Sequence, residues 1–251
     1  MHEATTKKIY PSGMPLAASV VIGKSKRSDF PLEPSRCALL VIDVQEYLSQ
    51  PRTPDEAQSY LFSTSIPRMV KNVEKLLKYF RQEREKATKG GCEVLLTYLE
   101  ALTPDCRDIS LDYKLSGPKL SSLPNNVTSP AKFLPEVSPS FDGRGDICIP
   151  KTSCSVFQST NIQYLLRNLG VEQLVVTGQL TDQCVESAVR DAADLGFFVS
   201  VVEDACAAMS EDDHARGLQG MKGFCRTMTT NSVLEEITSL QPDLKKLKAS
   251  S

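Results

Sequence analysis

Three residues in this 251-residue chain have types and neighbours suited to building a nucleophile: Asp43, Lys151 and Cys184. Asp43 ends the uncharged run Cys37-Ala-Leu-Leu-Val-Ile, and Lys151 directly follows Asp146-Ile-Cys-Ile-Pro150. Cys184 comes six residues after Gly178, at the start of a helical stretch. A thiol at a helix N-terminus gains from the helix dipole and from nearby N–H groups, which lower its pKa. A lysine within reach lowers it further, and a carboxylate beside both can take the thiol proton and later hand it to a leaving group. Such a cluster makes a thiolate without any imidazole. Each residue also has an ordinary reading: an aspartate capping a turn, a solvated surface lysine, a small packed cysteine.

Composition narrows the chemistry. The chain has two histidines, and His2 lies in the first few residues. That argues against zinc sites built from two or three histidines, although a single imidazole could still serve a Ser or Cys nucleophile. His214 stands in the acidic helix start Glu211-Asp212-Asp213 and reads as a surface residue. With 29 basic and 31 acidic side chains the net charge is −2, so nothing global draws the chain to nucleic acid or to an anionic membrane. No stretch reaches the length of a membrane-spanning helix. The eight cysteines include no C-x-x-C pair and are too sparse for a secreted disulfide scaffold. They read as reduced thiols of a cytoplasmic protein, seven of them packing or incidental. The alternative location is an organelle, reached through a weak N-terminal transit segment.

Period and punctuation place the elements. Residues 1–35 show no sustained period and carry several prolines, which predicts an extension that wraps the core or stays mobile. The domain proper is expected over 36–251. Apolar runs at 37–43, 93–98, 146–150, 173–178, 197–202 and 225–229 read as strands, the first of them buried on both faces. Helical spacing appears at 66–85, 161–169, 184–194, 210–221 and 232–240, with Gly170 and Gly196 as stop signals. Alternating strands and helices predict an α/β fold: a three-layer, doubly wound sheet of about six parallel strands flanked by helices. Residues 102–146 interrupt the pattern with Pro, Gly and Ser. So long an excursion usually forms a lid or an oligomer contact. In such sheets ligands bind at the carboxyl ends of the strands, which is where Asp43, Lys151 and Cys184 would converge. Gly23-Lys24-Ser25 resembles the end of a phosphate-binding loop, but no glycine stands at position 18 and no strand leads in.

Three segments carry a resemblance to a known family: Cys37-Ala-Leu-Leu-Val-Ile-Asp-Val-Gln45, Ile149-Pro-Lys-Thr-Ser-Cys-Ser-Val-Phe157 and Val176-Thr-Gly-Gln-Leu-Thr-Asp-Gln-Cys-Val-Glu186. In this order they resemble the isochorismatase-like cysteine hydrolase superfamily, over about residues 36–240. Nicotinamidases, N-carbamoylsarcosine amidohydrolase, ureidoacrylate amidohydrolase and isochorismatases belong to it. The resemblance implies that Asp43, Lys151 and Cys184 form a catalytic triad. It also implies a cis peptide at Gln179–Leu180, aiming the Leu180 and Cys184 N–H groups at the substrate oxygen. The implied reaction is ping-pong hydrolysis of a small amide, ureide or carbamoyl substrate by water through a thioester.

Nicotinamidases hold a metal with an Asp and histidines lying between the triad's Asp and Lys. Residues 44–150 contain no histidine, so no metal and no cofactor are expected. Isochorismatases that cleave a vinyl ether have glycine where this chain has Cys184. The thiol therefore favours C–N hydrolysis, with isochorismate cleavage by Asp43 as acid, or a non-catalytic scaffold, as alternatives. Arg107 is a candidate for a substrate carboxylate, with a plain surface arginine as its ordinary reading. Phe157 is expected to pack near the pocket, and Gln45 to bond the catalytic groups or cap the strand end. The family also implies a homodimer or tetramer.

Overall fold

The computed structural model describes residues 14–87, 91–115 and 123–249. Six strands form one parallel sheet: β1 (Cys37–Ile42), β2 (Glu93–Leu99), β3 (Ile147–Lys151), β4 (Gln173–Gln179), β5 (Phe198–Ala207) and β6 (Cys225–Met228). Their order in space is β3-β2-β1-β4-β5-β6. The chain winds outward from β1 through β2 to β3, then returns to the other side of β1 and winds outward again through β4, β5 and β6. The winding direction reverses between β1 and β4, and α/β sheets of this kind open a ligand crevice at that switch point.

The helices are α1 (Glu46–Ser49), α2 (Pro54–Gln58), α3 (Ile66–Lys86), α4 (Leu111–Leu115), α5 (Val156–Ser159), α6 (Ile162–Asn168), α7 (Glu186–Asp194), α8 (Glu211–Met221) and α9 (Thr230–Ala249). Side chains alternate along a strand, and β1 is buried on both faces. Cys37, Leu39 and Val41 pack with Met69, Val73, Leu76 and Phe80 of α3 and Val233 and Ile237 of α9. Ala38, Leu40 and Ile42 pack with Ile162 and Leu166 of α6 and Ala188, Val189 and Ala192 of α7. The three layers are those expected from the apolar runs.

Two elements run past their predicted ends. β5 continues from Val202 through Glu203 and Asp204 to Ala207. The carboxylate of Asp204 is satisfied there, accepting from the N–H and hydroxyl of Thr230 at 2.7 and 2.8 Å at the start of α9. α9 in turn extends to Ala249. From residue 14 onward the N-terminal extension lies on the amino ends of the strands: Leu16, Phe30 and Leu32 are buried. Gln173 fastens it, donating to Pro31 O at 2.8 Å and accepting from the Glu33 N–H at 2.7 Å. The excursion after β2 ends at Asp146, whose carboxylate is gripped by Arg81 at 2.5 Å and Arg84 at 2.9 Å.

At the carboxyl ends of β1 and β4, Ile42 pairs with Gly178. Gly178 has φ +113°, and a Cβ there would lie 2.1 Å from Ile42 O. Replacing Gly178 by Ala should therefore lower unfolding stability by about 3 kcal/mol or more, read from urea denaturation. A cost within experimental error of zero would show that the two strands can separate freely.

Candidate active site

β1 ends at Ile42, and the next residue, Asp43, turns off the sheet with φ +57°, a conformation few non-glycine residues adopt. Its N–H donates to Thr97 O of β2 at 3.1 Å, and its Oδ1 accepts from the Thr97 hydroxyl at 2.8 Å. Asp43 is thus locked to the neighbouring strand and fully buried. Its second oxygen, Oδ2, lies 2.8 Å from Lys151 Nζ as an ion pair. Apart from Lys151, Oδ2 has no hydrogen-bond donor among the described residues, so a lone pair remains for a proton.

Lys151 is the last residue of β3 and is also fully buried. Its ammonium donates to Ser153 O at 2.9 Å, Cys154 O at 3.0 Å and Cys184 Sγ at 3.3 Å. Burial opposes the charge, but Asp43 and Cys184 outweigh it and hold Lys151 above the ordinary lysine range. It is a fixed cation.

Cys184 lies in a wide turn of π type, Thr181–Val185, that runs directly into α7. The turn follows β4 through the Gln179–Leu180 peptide, which is cis. α8 lies tightly against it: a Cβ on Gly217 would come within 2.8 Å of Asp182 backbone. The turn is further tied by Thr181, whose hydroxyl donates to Ala207 O at 3.0 Å and lies 2.8 Å from His214 Nδ1. His214 is therefore half-buried under the turn and not a surface residue, as the acidic helix start suggested. Burial and the nearby Arg68 keep its pKa below the usual value.

Two further groups reach Cys184 that the sequence did not single out. The Tyr113 phenol, from α4 in the long excursion, lies 3.3 Å from Cys184 Sγ. Burial and the charges of Cys184 and Asp43 push its pKa far up, so the phenol stays protonated as a donor. α4 is held over the strand ends by the apolar cluster Leu99, Ala101, Ile109 and Leu123 and by the Ser110 N–H donating to Thr152 O at 2.9 Å. The second group is Cys154, expected to be an incidental thiol. Its sulfur stands 3.9 Å from Cys184 Sγ and 3.4 Å from Ser187 Oγ. The only sign in the sequence was its place three residues after Lys151. For Tyr113 there was none.

The two sulfurs titrate as a pair. The hydrogen bond with Cys184, the Ser187 hydroxyl and the Lys151 charge bring Cys154 down to about 7 against the effect of burial. The same shared hydrogen bond, with burial, pushes Cys184 up. The pair therefore gives up its first proton near pH 7 and keeps the second well above it.

The side chains of the other candidates make no hydrogen bond to Asp43, Lys151 or Cys184 in the contacts the structure shows. Gln45 is buried and clamps the end of β2, its amide donating to Leu99 O at 3.1 Å and accepting from the Leu99 N–H at 2.7 Å. Of its two expected roles this is the structural one. Phe157 packs against the α6–α7 layer, its ring 6.2 Å from Phe197. The Arg107 side chain is 71% exposed and pairs with Asp105 at 3.0 Å; it faces away as a surface arginine would. A cavity of about 790 Å³ lies at the amino ends of the strands, beside Phe30 and Phe198, and the three core residues do not line it. Among the described residues no group of three or more His, Cys, Asp or Glu side chains could hold a metal ion, and no helix is long and apolar enough to cross a membrane.

The family model described as "Isochorismatase domain" matches residues 37–232. The chain belongs to the isochorismatase family. Its six-stranded fold recurs in solved structures. A cysteine hydrolase from Pseudomonas syringae pv. phaseolicola 1448A aligns with a TM-score of 0.68 at 25% identity, covering 84% of this chain and 96% of that one. A protein named isochorismatase from Bacillus subtilis (strain 168) is 28% identical over 96% of this chain and 70% of its own. A ureidoacrylate amidohydrolase from Agrobacterium fabrum is 44% identical, but over 27% of this chain and 30% of its own length. The YecD protein of Escherichia coli O157:H7 is 34% identical over 47% of this chain and 64% of its own. Of several curated relatives, then, the match spans less than two thirds.

If Lys151 holds one thiolate in the pair, alkylation by iodoacetamide should accelerate as pH rises through about 7, where the pair loses its first proton. Peptide mapping of the labelled thiols at a series of pH values reads this directly. Lys151→Met should move the inflection upward, because removing the cation favours the protonated form. An inflection near the ordinary thiol value in the unmodified chain would remove the lysine from this role.

Proposed function

We propose that this chain is a metal-independent cysteine hydrolase that cleaves a C–N bond of a small amide, ureide or carbamoyl compound. One observation carries the reading: Lys151 Nζ lies 2.8 Å from Asp43 Oδ2 and 3.3 Å from Cys184 Sγ, with Lys151 and Asp43 sealed from solvent and Cys184 nearly so. Asp43, Lys151 and Cys184 act as the catalytic triad. Once its proton has passed to Asp43, the Cys184 sulfur, its charge held by Lys151, attacks the substrate carbonyl. The oxyanion is taken by the backbone N–H groups of Leu180 and Cys184, an arrangement that typically contributes about 3 kcal/mol per donor. The proton passes through Asp43, whose Oδ2 has a lone pair for it, to the departing amine or ammonia. Water activated by the same carboxylate then releases the acid from the thioester. The Tyr113 hydroxyl steadies the sulfur between the two half-reactions.

A second reading is cleavage of isochorismate, favoured by the length of the match to the Bacillus subtilis protein. There Asp43 would protonate the vinyl ether and the sulfur would be dispensable. The partners are the small substrate and water, and the enzyme works as a homodimer or tetramer in the cytoplasm. The test is a panel of amides, ureides, carbamoyl compounds and isochorismate, assayed with the unmodified chain and with Cys184→Ala. C–N hydrolysis should fall by about a thousand-fold or more when the nucleophile is removed. Activity on isochorismate alone, surviving in Cys184→Ala, would establish the second reading. Tyr113→Phe should lower kcat/KM on the best amide by about tenfold, the weight of one hydrogen bond to a charged sulfur.

A further inference from the structure

The hydrolysis described above uses one sulfur, yet two stand in the site. Cys154 and Cys184 are 3.9 Å apart, and closing that gap to a bond of about 2 Å requires a shift of under 2 Å between the sulfurs. Cys184 is 5% exposed, whereas Cys154 is half-buried and the more exposed of the two. The buried Lys151 ammonium sits beside both, bonded to the sulfur of one and the carbonyl of the other. An anionic sulfur in reach of solvent, backed by a thiol within 4 Å, meets the requirements for reversible oxidation.

We propose that Cys154 and Cys184 are a hydroperoxide-reactive pair, Cys154 being oxidised first and Cys184 closing an intramolecular disulfide that masks the nucleophile. In the first step the Cys154 thiolate attacks one oxygen of the peroxide. An S–O bond forms, the O–O bond breaks, and the released alkoxide or hydroxide takes the proton of Cys184. Cys154 is now a sulfenic acid, the peroxide having accepted two electrons. In the second step the Cys184 thiolate attacks the Cys154 sulfur. An S–S bond forms, the S–O bond breaks, and the hydroxide leaves as water with a proton from solvent. One thiolate, one thiol, one proton and one hydroperoxide become one disulfide, one alcohol or water, and one further water. An external thiol reverses the change by exchange. Burial pushes Cys92, Cys148 and Cys225 up to about 12, 11 and 11, so those sulfurs stay protonated and slow to react at neutral pH.

The test exposes the full chain to hydrogen peroxide at neutral pH, denatures it, alkylates the remaining thiols and maps peptides without reductant. Free thiols should fall from eight to six, the two lost being Cys154 and Cys184 joined in one cross-linked peptide, and dithiothreitol should restore all eight. In Cys184→Ser, which lacks the resolving sulfur, dimedone should label Cys154. Sulfinic acid on Cys184 without the cross-link, a cross-link to any other cysteine, or an unlabelled Cys154 in Cys184→Ser would each overturn the proposal. The readout is a mass and needs no substrate. A chain inactive on every amide can still pass, and an active amidase can still fail.

Discussion

The site depends on a buried charge that is expensive to keep. Lys151 and Asp43 form an ion pair with both side chains wholly out of solvent. Withdrawing two such charges from water costs several kcal/mol per ion, and only close contact and full hydrogen bonding offset it. The chain meets that condition with two backbone carbonyls, a carboxylate and a sulfur around the ammonium, and with the Thr97 hydroxyl on the other carboxylate oxygen. Removing either partner would leave an uncompensated buried ion, a loss of about 3–5 kcal/mol. The pair joins the ends of β1 and β3, so the order β3-β2-β1-β4 is needed to form it. Lysine crosses over the end of β2 to reach aspartate, and β4 brings the sulfur from the opposite side.

With one cation fixed, the remaining charges follow. Asp43 balances Lys151, and the sulfur pair adds a further negative charge as pH rises through about 7. That charge is met by the lysine, by the Tyr113 phenol and by the Ser187 hydroxyl at the start of α7. Tyrosine suits the role because its proton is not lost under these conditions. A histidine in the same place would titrate in the working range and switch between donor and acceptor. His214, the histidine among the described residues, lies under the turn on the Thr181 hydroxyl and is kept below its usual pKa by burial.

The sheet was legible from sequence because each strand is an apolar run bounded by turn signals, and Asp43 and Lys151 stood out at the ends of such runs. β5 was read short because Glu203 and Asp204 break its apolar character, and nothing local shows that Thr230, far along the chain, satisfies Asp204. Tyr113 was hidden for a related reason. α4 is a single short turn in a Pro/Gly-rich stretch, and only contacts from Ile109, Leu123 and Thr152 bring its phenol to the sulfur. Arg107, close by in sequence, points to solvent with Asp105. Residue type and proximity could not distinguish the two; the packing of the excursion does.

Cys154 shows how closely the buried charge and the second sulfur are linked. The chain leaving β3 must turn back on itself to present the Ser153 and Cys154 carbonyls to Lys151 Nζ. With those carbonyls fixed on the ammonium, the Cys154 side chain is carried toward α7, where Ser187 and Cys184 lie three residues apart. The turn that solvates the lysine is thus the turn that delivers the sulfur. A chain that stabilises its cation this way has a side chain at position 154 beside Cys184 whatever its type. Here that side chain is a thiol, so the solvation of the buried lysine and the conditions for a sulfur–sulfur bond arise from one piece of backbone.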